Sequence, residues 1–487
     1  MGSQASNISI NSKASQYIQD CAKIIAPQKM SLKELIDKST NFPIKFPVNE
    51  MMCQSLLRNR KDITSTKLEQ FVSSVYPLIH EAVFHLIINF LEYKKKHGTD
   101  KEIKLYSNMS LTDFVHRLLV KRAVMFCDSS DDYLLINGES GSGGWKKIGK
   151  DYEQYPLVLE NCLSYDEIKI SAFLSVSSNS FFINDGSRGN MGIPSSNPNA
   201  FQHDGVIIGV IGARFEKLNF MEWEEIIISK QQNTEVNGYG SKTKNMNKQH
   251  LWRKIWAEFY GIRSNLPTYK ESLEFRDQYK ELTNDLMFNN EVYRKRITIT
   301  AETLLLESES RASANNTQAC VKVVGCGLGV WQISSHQQDI FLETFAECIR
   351  RLFPKLNHIY VVHFVWFKNE ECGGVKNGDF ICKRHDGSGI KVEFSMGTPH
   401  SKLDDGKYLV ASYAWDGNAL PGNEFWAGCL SSSGDPAAAC SSQVAELHNP
   451  YINTSSVCGD NLHVATAQWG VLHVAEYARK FLNAAGH

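Results

Sequence analysis

One stretch constrains this chain more than any other: YLVASYAWDGNALPGNEFWAGCLSSSGDPAAACSSQVAELHNPYIN, from Tyr408 to Asn453. Tyr408 to Ala414 is apolar and long enough for one buried strand. It empties into a loop where Asp416, Glu424 and Asp435 are separated by Gly417, Gly422, Gly428 and Gly434 and flanked by Trp415, Phe425 and Trp426. Open α/β sheets bind ligands beyond the carboxyl ends of their strands. Glycines let a ligand approach the backbone closely, and aromatic rings supply flat walls. Carboxylates orient hydroxyls or activate water.

A second stretch has matching logic. Cys320 to Val324 is a short apolar strand followed by Gly325-Cys326-Gly327-Leu328-Gly329-Val330-Trp331. Ser335 and Gln338 frame the start of a helix carrying Phe341, Phe345, Cys348 and Leu352 on one face, with Pro354 after it. Strand, glycine turn and helix together aim backbone N–H groups at an anion, usually a phosphate. The GxGxxG spacing of a dinucleotide fold is missing, and a tight turn without a ligand is the plainer alternative. His358 to Phe367, Ile390 to Met396 and Leu462 to Thr466 add strands, and 468–482 reads as a closing helix. This half predicts an α/β fold: a mixed, largely parallel sheet flanked by helices.

The N-terminal half is harder to read. Residues 1–60 are polar and suggest a partly ordered arm; 61–150 suggests a helical extension, and 151–487 the catalytic domain. Apolar positions from Leu68 to Phe90 recur at helical spacing, with Pro77 a kink or break, and Leu111 to Phe126 predicts a second helix. Ile168 to Val176 predicts a strand leading into a loop with Asn179, Asn184, Asp185 and Arg188, either a surface turn or a ligand loop. Gly205 to Phe215 is strand-like, with Gly209 and Gly212 marking close backbone approach. The acids from Glu216 to Glu225 beside Arg214 and Trp223 form either a site wall or a salt-bridge network. Leu251 to Tyr260 and Lys270 to Met287 predict helices. Arg294 to Glu307 alternates and predicts a strand, ending in Glu307-Ser308-Glu309, the E-x-E of arginine-directed ADP-ribosyltransferases.

Composition excludes several classes. Lys plus Arg is 52 against 53 for Asp plus Glu, so no bulk charge draws the chain to nucleic acid or membrane. The apolar run from Val72 to Leu91 is broken by His80 and Glu81, which argues against a transmembrane segment. Twelve cysteines without a CxxC pair suggest reduced thiols and a cytoplasmic setting. Cys372, Cys382 and His385 lack an obvious fourth ligand, so no metal site is expected. Met-Gly-Ser-Gln-Ala-Ser fits a permissive myristoylation pattern at Gly2.

GCGLGVW, WDGNALPGNEFW and SGDPAAACSSQVAELHNPYIN together resemble macrodomain-type ADP-ribosylhydrolases of the poly(ADP-ribose) glycohydrolase kind, and within them the MavL branch with its bacterial and eukaryotic members. The similarity spans about residues 165–470 and is most specific in the acidic loop. It implies a macrodomain-like fold and removal of ADP-ribose from arginine side chains. The substrate would be an ADP-ribosylated protein, with ubiquitin one candidate. ADP-ribose would be ligand and product, with no cofactor and no nucleic-acid partner. Asp416, Glu424 and Asp435 would be the catalytic acids. Gly325, Gly327, Leu328, Gly329, Val330 and Trp331 would hold the diphosphate, with Asn179, Asp185, Phe425 and Trp426 also at the ligand. The GGG-x-QEE signature of poly(ADP-ribose) glycohydrolases is absent, which favours removal of single units over chain degradation. A non-enzymatic ADP-ribose reader and a transferase using Glu307 and Glu309 remain the rival readings.

Overall fold

The computed structural model describes residues 12–241, 246–262, 264–283, 285–403 and 406–485; Gly2, the residue of the permissive myristoylation pattern, lies outside them. A ten-stranded sheet organises the chain. Across it the strands run Phe380–Lys383, Gly389–Ser395, Ile359–Val365, Gln318–Val323, Lys407–Ala414, Asp204–Val210, Ser175–Phe181, Tyr76–His80, His463–Thr466 and Gly470–His473. From Gly389–Ser395 through Asp204–Val210 the neighbours are all parallel. The flanking strands, apart from the parallel pair Tyr76–His80 and His463–Thr466, are antiparallel. This is the mixed, mostly parallel α/β sheet with flanking helices that the apolar runs predict. The parallel strands share one carboxyl edge, so the turns after Val210, Val323, Val365 and Ala414 gather there. No described helix is long and apolar enough to cross a membrane.

Several local expectations need correction. Arg294 to Glu307 is not a strand: it lies inside one helix, Asn290–Ala314, capped by the Asn289 side chain, which accepts from the Val292 N–H. Tyr293, Ile297, Thr300, Ala301, Leu304, Leu305 and Ser308 are all buried in it. A helix buried on most sides has no polar stripe, so its 3.6-residue period is masked, and the Thr-Ile-Thr run imitates strand alternation. Ile168 to Val176 splits into a helix, Tyr165–Ser171, closed by a Ser164/Glu167 capping box, and the strand Ser175–Phe181. The expected helix through Pro77 becomes helix Ser65–Ser73, strand Tyr76–His80 and helix Glu81–His97. The helix from Leu111 stops at Val120, and Met125–Cys127 is a strand. Within 270–287 there are a short helix, Tyr269–Glu274, and two strands, Lys280–Thr283 and Leu286–Phe288. The expected closing helix from 468 begins only at Val474, after the strand Gly470–His473.

The E-x-E acids are structural. Glu307 is fully buried and accepts from Arg311 Nε at 2.7 Å, Tyr76 Oη at 2.8 Å and Ser177 Oγ at 2.6 Å. Glu309 accepts from the His358 backbone N–H at 2.8 Å and pairs with its Nδ1 at 2.7 Å. Glu307 thereby ties the long helix to two strands. Glu307→Ala would strand a buried guanidinium and is expected to cost about 3–5 kcal/mol in urea unfolding. A loss below about 1 kcal/mol would show that the network does not hold the helix down.

Candidate active site

The turns at the carboxyl edge enclose a cleft with about 1040 Å³ of empty space, counting its open mouth. Gly325, Gly327, Gly329, Val330 and Trp331 line it together with Asp416, Glu424 and Asp435. The two sequence stretches that invite a ligand therefore face one space.

Two of the glycines lining it, Gly212 and Gly327, bring their backbones into contact. A Cβ on Gly212 would sit 2.1 Å from the Gly327 nitrogen, and Gly327 itself has φ +76°. No side chain fits between these backbones. The segment 211–214 is held by Arg296, whose Nη2 donates to the Ile211 carbonyl at 2.9 Å and whose Nε donates to Glu222 at 2.9 Å. The other Glu222 oxygen accepts from the Arg214 N–H at 3.0 Å. The acids from 216 to 225 are thus salt-bridged. Glu224 and Glu225 pair with Lys169 and Arg253, and Glu216 pairs with Arg214 at the edge of the site.

The acidic loop is assembled by its own backbone. Asp435, 1% exposed in the first turn of helix Gly434–Ser441, accepts from the Asp416 N–H at 2.9 Å and the Gly422 N–H at 2.8 Å. Both its oxygens are engaged in closing the loop, and burial raises its pKa well above the usual carboxylate range. Asp416 accepts from Asn423 Nδ2 at 2.7 Å and from the Asn418 N–H at 3.2 Å. Burial pushes its pKa up to about 7; the Arg214 charge opposes that shift and Glu424 adds to it. Glu424 is raised too, chiefly by burial, and meets Ser433 Oγ at 3.4 Å. A carboxyl whose folded pKa exceeds its unfolded value stabilises the fold at low pH. For Asp416 that contribution is lost as pH rises from 3.8 through about 7.

Residues from the N-terminal half brace the acidic loop from behind the cleft. The Asn423 side chain pairs with both backbone groups of Phe126, at 2.8 and 3.1 Å, joining strand Met125–Cys127 to the acidic loop. Arg122 is buried with its guanidinium 4.1 Å from the Trp415 ring centroid. Burial lowers its pKa to about 9, opposed by Tyr413, Asp416 and Asp435.

Not every expected ligand residue reaches the cleft. Phe425 and Trp426 are buried against the N-terminal segment, with Trp426 centroids 5.3 Å from Phe42 and 4.9 Å from Phe46. Asn179 accepts from Tyr408 Oη at 2.9 Å, and Tyr408 lies at the amino end of the strand that delivers Asp416, roughly 25 Å from it. Asp185 shapes a turn: its carboxylate accepts from the Ser187 N–H and from Asn190 Nδ2, while Gly186 and Arg188 beside it line the cleft. Leu328 folds back over Gly325 into the core. The helix after the glycine turn, His336–Leu352, starts beyond the cleft, and Gln337 Oε1 takes the Ile333 and Ser334 N–H groups. The helix whose amino end meets the cleft is instead Gly434–Ser441, through Ser432, Ser433 and Gly434. Sequence reading missed Trp366, Pro399 and His400, which also line it. Trp366 was detectable as the residue ending a strand-like run; nothing in 397–401 marks His400. Among the described residues no cluster of three or more His, Cys, Asp or Glu is arranged to hold a metal ion. Cys372 is buried, with its thiol directed at the Leu342 carbonyl.

Sheet, turns and buried acids define an α/β enzyme with a carboxylate-lined cleft at its carboxyl edge. The family model described as ADP-ribosylhydrolase MavL-like matches residues 33–480. Two Drosophila melanogaster proteins are similar over nearly their whole length. ADP-ribosylarginine hydrolase CG2909 is 42% identical over 477 residues, 96% of this chain and 93% of that protein. ADP-ribosylarginine hydrolase CG3568 is 40% identical over 483 residues, 98% of this chain and 94% of that protein. The chain belongs to the MavL-like ADP-ribosylhydrolases, and it is a hydrolase.

Gly212→Ala would force the Gly327 turn away from the 211–214 segment. The expected result is a loss of about 1–3 kcal/mol in stability and at least ten-fold weaker ADP-ribose binding by calorimetry. Unchanged affinity would show that this contact does not set the width of the cleft.

Proposed function

We propose that the protein removes single ADP-ribose units from arginine side chains of proteins, by hydrolysis of the C1″–N bond in a macrodomain-like catalytic domain that reaches back beyond residues 151–487 to include the strand Tyr76–His80. The observation that carries this reading is the shared cleft, in which a turn offering backbone amides and three acids face one another. The names of the two fly relatives support arginine as the linkage. Ubiquitin modified on arginine is one protein substrate to try. The described cysteines are all free thiols, in keeping with a reducing, cytosolic setting.

Each part of the cleft takes one role. Among the described residues, the N–H groups of Gly329 and Val330 have no protein acceptor, and with the Ser432–Gly434 end of the short helix they suit a diphosphate. Asp416 and Glu424 face the distal ribose and the substituted guanidinium. Breaking the C1″–N bond develops oxocarbenium character at C1″, which these carboxylates stabilise. The bonding pair stays on nitrogen, so the cationic guanidinium leaves as neutral guanidine. Water adds to C1″ and gives a proton to ionised Asp416, which passes it to the guanidine. Asp435 positions Asp416 through the backbone.

Two experiments test the reading. Incubation with arginine-, serine- and glutamate-linked ADP-ribosyl peptides, followed by mass spectrometry, is expected to show release from arginine only. Binding of ADP-ribose without release from any peptide would make the protein a reader. Second, kcat/KM should rise as pH passes about 7, where Asp416 ionises. Glu424→Gln removes a negative neighbour and should move that rise to lower pH, while Asp416→Asn should cut turnover by roughly 10²–10⁴-fold. A flat profile from pH 6 to 8 would take Asp416 out of the chemistry.

A further inference from the structure

Of the described residues that line the cleft, Arg188 is the single Lys or Arg. It opens the short turn Arg188–Asn190, whose backbone is fixed from both sides. Asn184 Oδ1 accepts from the Gly186 N–H at 3.0 Å. The Asp185 carboxylate takes the Ser187 N–H at 3.0 Å and Asn190 Nδ2 at 2.6 Å. Gly186, at φ +84°, packs so closely on Pro399 and His400 that a Cβ there would come within 3.2 and 3.0 Å of them. Beyond the turn, the Ile193 N–H donates to the Asn190 carbonyl at 2.9 Å.

The side chain is held by much less. Arg188 is exposed, and among the described residues its guanidinium has no hydrogen-bond or ion-pair partner. It lies over the face of Trp366, 5.9 Å from the ring centroid. Glu424, raised chiefly by burial, feels Arg188 as an opposing positive charge. Trp366 and Glu424 both line the cleft, so the cation stands where two of its walls face each other. The Arg188–Asn190 turn also packs against helix Gly434–Ser441, whose amino end meets the cleft. On the other side, Phe367 follows Trp366 and abuts the glycine turn: a Cβ on Gly325 would come within 3.2 Å of its ring. Arg188 thus stands close to both sets of backbone amides that suit a diphosphate. Those amides supply only partial charge, roughly half an elementary charge at a helix end. A diphosphate brings further negative charge into a cleft that already holds Asp416, Glu424 and Asp435. A guanidinium adds a full positive charge and a planar fork that matches phosphate oxygens in pairs.

We propose that Arg188 is the phosphate-binding side chain of the cleft, its guanidinium donating to the phosphate next to the distal ribose and covering the open side of the diphosphate. This deepens the ADP-ribose reading above and rests on it. The phosphate concerned follows from the neighbours: the distal ribose faces Glu424, and Arg188 is the cation that Glu424 feels. A fixed turn with an unbonded guanidinium lets the arm engage a ligand without breaking a contact inside the protein.

The test is calorimetric titration of the full chain with ADP-ribose, using the unaltered protein, Arg188→Gln and Arg188→Lys. The side chain is exposed and unbonded, so neither substitution disturbs the packing. Arg188→Gln is expected to weaken binding about 10- to 100-fold, the range of a charge-assisted hydrogen bond. Arg188→Lys keeps a point charge without the fork and should recover part of that loss. Toward an ADP-ribosyl-arginine peptide, the loss in Arg188→Gln should appear in KM, with kcat changed by less than about three-fold. An Arg188→Gln protein that binds ADP-ribose as tightly as the unaltered one would overturn the proposal and leave the hydrolase reading intact. So would unchanged affinity with the kcat/KM profile displaced to higher pH, which would make Arg188 a partner of Glu424 instead. No binding of ADP-ribose by the unaltered protein would remove both readings together.

Discussion

Two backbones touch at Gly212 and Gly327, and the working edge of the molecule depends on that contact. The turns involved leave the strands on either side of Lys407–Ala414, so they meet beside the point where the acidic loop begins. A side chain at either glycine would separate them. Behind the contact, Arg296 and Glu222 are 0% and 1% exposed and hold the 211–214 segment from the long helix. An uncompensated charge of either kind would be costly there, so the pair locks the helix to the site as much as it stabilises either element.

Concentrating Asp416, Glu424 and Asp435 in one cleft opposes folding, because burial first, and then neighbouring carboxylates (Glu216 in the case of Glu424), raise each carboxyl. The surrounding structure offsets this with backbone amides aimed at Asp435, the Asn423 amide on Asp416, and the positive charges of Arg214 and Arg122. The environments divide the three: Asp435 is fully buried and closes the loop, while Asp416 and Glu424 stay partly exposed at the cleft. The proposed mechanism draws on that division, since a carboxyl raised to about 7 exchanges a proton readily where an ordinary aspartate does not.

Chain order conceals how much of the support behind the site comes from the first third of the protein. Phe126 is clamped by Asn423, Arg122 lies on Trp415, and Phe42 and Phe46 cover Phe425 and Trp426. The aromatic pair that looks like a ligand wall in sequence is therefore the seam between the acidic loop and the N-terminal segment. Aromatic surface on the cleft comes instead from Trp331, Trp366 and Trp415, the last two placed directly after parallel strands.

By itself the sequence determined the α/β class, the parallel strands of the C-terminal half, and the two stretches that meet at the cleft. Short apolar runs ending in glycine report their own geometry, because strand length and turn freedom are local properties. It also carried the family, since the acidic loop is a contiguous motif. Only the tertiary structure decided that Arg294 to Glu307 is helical, because burial on most sides erases the polar stripe that announces a helix. Tertiary contacts alone turned Phe425 and Trp426 inward, moved Asn179 to the opposite edge, and brought His400 from an unmarked turn to the cleft wall. Those outcomes depend on partners tens to hundreds of residues away, and such pairings leave no trace in local spacing.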